Sequence, residues 1–372
     1  MHLVDTSMFF APEGGGVGRY LAMKHAWLAR NTRWRHTILA PGPQTSEADG
    51  VRLFRTPLRV RHGYRFPLTR ACWTRRILAL NPDLIEAGDP YLLPWASIAA
   101  AQAAGVPAIG FYHSDVVGTA ALRFGAAGYM VAARYARALY RQFDLVVAPS
   151  RYTVGRLREL GLDRVACQPL GVDTQTFHPR RRQLDLRARL GLAQDSRLLV
   201  FAGRFAREKN IEVLFEAMRR LGPPYHLLLI GSGSAPPAPH NVTVMPYERD
   251  PLALAHTLAS CDAFVHAGDR ETFGLVVLEA MACALPVIAV GGGAITELVE
   301  SHGLIVGRPC GRTLAEGVDA VFATDPVSLG RAARAFVEQH YTWDTVLRGL
   351  VSLYSHLHGA DAALRTPAYA AD

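Results

Sequence analysis

Residues 271–290 read ETFGLVVLEAMACALPVIAV. Phe273, Val276, Val277, Ala280, Met281 and Ala284 fall at i, i+3, i+4, i+7, i+8 and i+11, which is one face of a helix. Leu275 and Leu278 make the other side apolar, so the spacing predicts a helix packed nearly all round. Thr272 is placed to cap its start, and Gly274 allows close approach. Pro286 ends it, VIAV reads as a short buried strand, and GGG follows. A buried helix feeding a buried strand belongs to a parallel α/β sheet.

The same alternation runs through both halves of the chain. In the first half MHLVDTSMFF, HTILAPG, DLIEAG, VPAIGFYHS and DLVVAPS read as strands, with helices at YLAMKHAWLAR, around MVAARYARALYRQF and at TVGRLREL. In the second half RLLVFAGR, HLLLIGSGS, VTVMPY, DAFVHAG and LPVIAV are the strands, and NIEVLFEAMRRLG is a helix. Two doubly wound parallel sheets follow, in domains of residues 1–178 and 193–342. The basic stretch GVDTQTFHPRRRQLDLRARLGL, 171–192, is the expected link. In such sheets ligands bind beyond the carboxyl ends of the strands.

The 372 residues, half of them hydrophobic, suffice for two cores. Five scattered cysteines, Cys72, Cys167, Cys261, Cys283 and Cys310, have no metal or redox spacing, which fits a reduced, intracellular setting. The start MHLVDTSMFF lacks the pattern of a signal peptide. The longest uncharged run, from Tyr91, is broken by Pro94, Gln102, Gly105 and Pro107 and reads as a buried helix followed by a strand. Net charge is +8, and residues 1–180 carry 22 basic against 12 acidic side chains while the remainder carries 18 against 20. Between Asp49 and Asp83 stand eight arginines and no acid: Arg52, Arg55, Arg59, Arg61, Arg65, Arg70, Arg75 and Arg76. Such a field attracts anionic lipid, nucleic acid or a phosphorylated substrate, and an ordinary solvated face explains it as well.

Glu271 and Glu279 are the carboxylates of the opening stretch. Eight residues at helical rise span about 12 Å, whereas a carboxylate pair acting on one glycosidic bond is roughly 5–9.5 Å apart. Two sugar rings joined by a diphosphate have about the right separation, and the free N–H groups of a helix start between them favour phosphate. A cap at Glu271 with a structural Glu279 is the bland alternative. FAGRFAREKN, 201–210, follows the first strand of the second half, and its Arg204 and Lys209 are suited to a diphosphate. GGGVGRY, 14–20, places glycines between a strand and a helix but matches neither the dinucleotide fingerprint nor the Walker pattern. FYHSD, 111–115, sets His113 at a strand end, where a substrate contact and a structural role are equally open. No D-x-D clamp and no zinc pattern occurs beside a strand end.

Taken together, GGGVGRY, FYHSD, APSRYT (148–153), LGVDTQTFHP (170–179), AGRFAREKN, the E-x7-E of ETFGLVVLE and YTWD (341–344) resemble the retaining glycosyltransferases of family 4, glycosyl transferases group 1. The resemblance covers nearly the whole chain. It implies the GT-B fold, two facing Rossmann-like domains with a central cleft, the first binding acceptor and the second the nucleotide sugar. It also implies a final helix from Trp343 that crosses back, in a segment 343–372. By position, Glu279 resembles the ribose ligand and Glu271 the contact to the transferred sugar. The backbone at Phe273, Gly274 and Leu275 would touch sugar and phosphate, Arg204 and Lys209 would clamp the diphosphate, Gly16 would lie under the phosphate and His113 near the donor sugar. The catalytic group would thus be His113, Glu271, Arg204 and Lys209. The family commonly has Asn-Gly-Val-Asp where this chain has Leu170-Gly171-Val172-Asp173.

The implied reaction is metal-independent, retaining transfer of a hexose, with mannose or glucose favoured, from a GDP- or UDP-linked donor to a lipid-linked or envelope acceptor. No cofactor is expected and no nucleic acid. An anionic membrane surface on Arg59, Arg61 and Arg65 is a candidate partner, and a cytoplasmic location with peripheral attachment to the inner face follows from that. A nucleotide-sugar 2-epimerase of the same fold and a non-catalytic sugar-nucleotide or lipid-binding protein are the rival readings.

Overall fold

Every residue of β1, His2–Thr6, is buried, and so are all but the first of β2, Arg35–Gly42, which matches continuous apolar strands covered on both faces. The computed structural model describes residues 1–11, 15–60 and 63–359. The chain divides into two compact units, Met1–Leu170 with the chain from Val346, and Gly171–Thr345.

In unit 1 the sheet continues with β3 (Ser46–Ala48), β4 (Val51–Arg55), β5 (Leu84–Ala87), β6 (Ala108–Phe111), β7 (Leu145–Ala148) and β8 (Val165–Cys167), in the order β3-β4-β2-β1-β5-β6-β7-β8. Among the named strands of the described residues, β3 and β4 alone pair antiparallel. Their turn holds Asp49 and Gly50 at φ 45° and 76°, the Asp-Gly hairpin chemistry that the strand reading passed over. In unit 2 six parallel strands, β9 (Arg197–Phe205), β10 (Tyr225–Gly233), β11 (Val242–Pro246), β12 (Ala263–His266), β13 (Val287–Val290) and β14 (Leu304–Val306), run β11-β10-β9-β12-β13-β14. The strand order reverses between β1 and β5 in unit 1 and between β9 and β12 in unit 2. These are the places where open α/β sheets bind ligands.

The segment 171–192, read above as a link, is part of unit 2. Arg187 is buried, pairs with Asp262 and donates its Nε to Ser196 O at 2.9 Å, so the basic stretch is anchored rather than free. The helix Trp343–His358 carries the chain back into unit 1. There Tyr354 is fully buried, its hydroxyl 2.7 Å from Lys24 Nζ. Beside the two crossings, Val172 N donates to Tyr341 O at 2.8 Å and Gln168 Nε2 to Val346 O at 2.8 Å. A Cβ on Gly171 would lie 2.8 Å from Trp343 Cα, so glycine is needed where these segments pass.

Candidate functional site

In unit 2 the two loops that follow β9 and β12 meet. Arg204 is the last residue but one of β9, exposed, and 3.9 Å from Glu208. A short 3-10 turn, Arg207–Lys209, follows, and Asn210 closes it in the left-handed region at φ 50°. Asn210 Nδ2 donates to Ala267 O at 3.0 Å, which ties this turn to the loop after β12. Gly268 admits the approach, since a Cβ there would stand 2.9 Å from Glu208 O and 2.8 Å from His266 Cε1. The closure brings Lys209 Nζ onto Oε1 of Glu271. His266, the last residue of β12 and 1% exposed, sets its Nε2 3.2 Å from the same oxygen.

The triple glycine after β13 fixes the Glu271 loop from the other side. Gly292 and Gly293 have φ of 147° and 58°, and a Cβ on them would stand 2.5 Å from Asp269 O and 2.6 Å from Glu271 N and O. Ala294 N donates to Glu271 O at 2.8 Å. Only a bare backbone fits against the loop here.

The helix of the opening stretch spans Leu275–Ala282, with Gly274 at φ 100° as its N-cap and no side-chain cap. Thr272 is therefore not the cap, because the chain turns at Gly274, where a Cβ would meet Ile295 Cδ1 at 2.5 Å. Glu271 precedes the helix and Glu279 lies inside it, so helical rise measures only part of their separation. Glu279 is 4% exposed, and Phe273 is buried with its ring 6.2 Å from Tyr341. The amides that open this helix, from Leu275, follow the buried Phe273 across Gly274.

Electrostatics distinguish the members of this group. Burial, helped by the like charge of Arg204, pulls Lys209 down to about 8, while Glu208 opposes the pull; the Glu271 carboxylate opposes it as well. Burial and then Lys209 hold His266 at about 3, so its ring is neutral. A carboxylate only accepts, so the ring proton facing Glu271 is on Nε2. Lys209 Nζ and His266 Nε2 thus both face Oε1, the ring nitrogen at 3.2 Å.

In unit 1 the helix Gly16–Asn31 begins at Gly16, with Gly15 as N-cap and Gly15 N donating to Tyr64 Oη at 3.3 Å. Gly14 lies outside the described residues. His113, just past β6, stacks on Phe111 with centroids 3.9 Å apart and faces Tyr20 at 5.1 Å. Burial, then Lys24, lowers it to about 3. Asp115 of the same FYHSD stretch caps the following helix, its Oδ1 accepting from Gly118 N at 2.8 Å.

The arginine field is divided. Arg52 pairs with Glu47 at 2.7 Å, Arg76 lies 4.0 Å over the Phe54 ring, and Arg65 donates to Thr56 O at 2.6 Å. Arg65 and Arg76 thus serve the fold. Arg55, Arg59, Arg70 and Arg75 are exposed, and Arg61 lies outside the described residues. Arg59 and Arg65 form an antiparallel bridge that exposes Leu58 and Val60 nearby.

Three features escaped the sequence reading. His266 had only its place at a strand end as a signal. Lys24, wholly buried in an apolar helix, is 3.0 Å from Asp5, 2.9 Å from Glu86 and 2.7 Å from Tyr354. The helix Val116–Tyr140 is the third. Among the described residues it alone is long and apolar enough by composition to cross a membrane, and little of it is buried. Phe124, Met130 and Val131 are 64%, 64% and 72% exposed. Gly125 breaks its helical backbone, and only its second part was read as a helix.

Residues 14–176 match the family model described as glycosyltransferase family 4, and residues 183–336 that of glycosyl transferases group 1. A GDP-mannose-dependent alpha-mannosyltransferase of Mycobacterium tuberculosis is 33% identical over 319 residues, 79% of this chain and 80% of the relative. From the same species, a GDP-mannose-dependent alpha-(1-6)-phosphatidylinositol dimannoside mannosyltransferase is 26% identical over 385 residues, 95% of both chains. Among solved structures, sucrose-phosphate synthase from Thermosynechococcus elongatus superposes with a TM-score of 0.78 at 23% identity, covering 97% of this chain and 100% of that one.

Proposed function

The chain belongs to the glycosyl transferases group 1 of glycosyltransferase family 4 and has their GT-B fold, and from that premise we propose that it transfers mannose from GDP-mannose, with retention of configuration, to a lipid-linked or envelope-glycan acceptor. One observation carries the reading: Lys209 and Glu271, on the loops after β9 and β12, meet beyond the strands that flank the reversal of strand order in unit 2, with Arg204 at the end of β9. Lys209 meets Glu271 four residues before the helix Leu275–Ala282, and Arg204 lies five residues before Lys209, a pair of cations suited to a diphosphate. The GDP-mannose of the relatives' names supports the choice of donor.

In this mechanism Glu279 binds the ribose, Glu271 binds hydroxyls of the transferred sugar, and the backbone of Phe273, Gly274 and Leu275 lines the phosphate. The bond between the anomeric carbon and the diphosphate oxygen breaks as the acceptor oxygen bonds that carbon on the same face. The acceptor proton passes to the departing phosphate. Arg204 and Lys209 neutralise the charge that develops on it, a task that needs no metal in this reading. His113 and Gly16, on unit 1, are assigned to the donor sugar and the phosphate by the family resemblance.

Purified protein is to be offered GDP-mannose, GDP-glucose, UDP-glucose and ADP-glucose, with saturation-transfer NMR for binding and proton NMR for the product anomer. Preference for GDP-mannose and an α product are expected, with turnover that survives EDTA. Binding of UDP-sugars alone sinks the donor assignment. A β product sinks retention, and activity lost to EDTA but restored by Mg²⁺ sinks the metal-free reading.

The acceptor is proposed to be reached at the cytoplasmic face of an anionic membrane. The phosphatidylinositol in one relative's name supports a lipid acceptor. Unit 1 offers exposed Arg55, Arg59, Arg70 and Arg75 together with the exposed apolar side chains of Val116–Tyr140. From Val116 to Phe143 that segment has Arg123, Arg134, Arg137 and Arg141 and no acid. Apolar side chains between arginines suit an anionic surface, each basic group being worth about 1 kcal/mol there. Vesicles containing phosphatidylglycerol should pull the protein down at low salt, and Met130→Asp with Val131→Asp should release it. Protein left in the supernatant refutes this surface.

A further inference from the structure

Glu271 has a side chain with a broad, two-fold terminal torsion, so something must fix which oxygen it presents. Lys209 cannot do this alone. Its ammonium is a rotatable point charge with three donors, and in the reading above it also serves the diphosphate. His266 differs in each respect. Its ring is carried by the last residue of β12, is 1% exposed, and lies against Phe201 with centroids 5.8 Å apart. The loop passes so close over it that a Cβ on Gly268 would come within 2.8 Å of its Cε1. Its Nε2 lies 3.2 Å from Oε1 of Glu271, the oxygen that Lys209 also meets.

We propose that His266 is a positioning residue for the transfer: with Lys209 it anchors Oε1 of Glu271 and so leaves Oε2 directed to the hydroxyls of the transferred sugar. The proposal rests on the reading of Glu271 as a sugar contact. A histidine is suited to the task because its donor is held in a fixed plane from the sheet and stays committed when Lys209 is drawn to phosphate. The ring is not an acid or base in this role, since burial keeps it neutral over the working range. It acts on the sugar end of the donor only, so it should govern turnover and the choice between sugars while leaving nucleotide affinity unchanged.

The test uses the full chain with GDP, GDP-mannose and GDP-glucose. His266→Phe keeps a flat ring and removes the donor; His266→Gln restores an N–H at nearly the same reach. For the Phe variant we expect GDP affinity within about twofold of wild type and turnover of GDP-mannose lower by about 10- to 100-fold, the range for losing a hydrogen bond to a charged group. Preference for GDP-mannose over GDP-glucose should fall with it. The Gln variant should recover most of both. In a Glu271→Gln background His266→Phe should cost little more, because the group it positions is already altered.

If His266→Phe does not fold, His266→Asn replaces it, since its shorter amide falls short of Oε1; loss of turnover with normal GDP binding supports the proposal. Full turnover and unchanged sugar choice in the Phe or Asn variant overturn it. So does equal impairment of the Phe and Gln variants together with lower thermal stability, which marks a purely structural ring. An undiminished effect of His266→Phe in the Glu271→Gln background overturns it too. Should Glu271→Gln itself turn over normally, the underlying role of Glu271 fails, and that outcome is distinct from a silent His266 beside a crippled Glu271 variant.

Discussion

Lys24 and Lys209 each lie among carboxylates and a histidine, one cluster in each unit. Lys24 is 0% exposed and bonded to Asp5, Glu86 and Tyr354, while His36 Nε2 completes Asp5 at 2.9 Å. Burial pushes on both carboxylates: Lys24 and His36 outweigh it at Asp5, which is held below its ordinary value, and it outweighs Lys24 at Glu86, which is raised. Asp5 and Glu86 sit inside β1 and β5, so the cluster is framed by the sheet itself. In unit 2 the lysine lies beyond the strand ends, meets one carboxylate, and has the like charge of Arg204 close enough to lower its affinity for a proton. The first cluster closes on itself and joins the returning helix to the sheet. The second lies open at the strand ends, with the Arg204 side chain exposed, and can take an anion.

The largest effect should separate the two lysines by what is lost. Lys24→Met leaves Asp5 and Glu86 buried without their cation and should destabilise the protein by about 3–5 kcal/mol, read by urea denaturation. Lys209→Ala should leave the urea midpoint nearly unchanged, and a matching destabilisation there would erase the contrast. Next, Lys209→Ala and Arg204→Ala should each lower turnover by about 100- to 1,000-fold, as for removal of one preorganised donor to developing charge. Near-normal turnover in both would remove the diphosphate clamp.

The two glutamates should divide by role, at a smaller scale. Glu279→Gln should weaken GDP binding by about 1.5–3 kcal/mol, measured by calorimetry, whereas Glu271→Gln should leave it nearly intact and reduce turnover. Equal GDP affinity in both variants defeats the assignment to two rings. The smallest expected effect is in pH. Lys209 gives up its proton near 8 in the folded protein against an ordinary 10.5, so its charge, and kcat/KM with it, should fall as pH rises through about 8. Over that window the unfolded chain binds more protons, and this group's contribution to stability rises with pH. Glu271→Gln removes the carboxylate that holds the proton and should shift the alkaline limb downward, and Arg204→Ala should shift it upward. A limb that neither variant moves does not belong to Lys209.

The sequence by itself determined the alternation of strands and helices, the E-x7-E stretch, the loop with Arg204 and Lys209, and the strand-end His113, because each is written in local periodicity or in a motif of adjacent residues. The family resemblance, rather than spacing, placed the start of the last helix at Trp343, where the structure has it. Where it failed, the deciding contacts are remote. Thr272 looked like a cap, but the N-cap is Gly274, whose left-handed backbone passes so close to Ile295 that no Cβ fits. The arginines between Asp49 and Asp83 looked like one field, but Arg65 and Arg76 are claimed by Thr56 O and the Phe54 ring. Lys24 gains its partners from positions 5, 86 and 354, and His266 reaches Glu271 only because Gly268, Gly292 and Gly293 fold the loop back. Periodicity reports which face of an element is apolar; it carries no record of which distant polar group the packed sheet will set opposite a buried charge, and that only the tertiary structure decided.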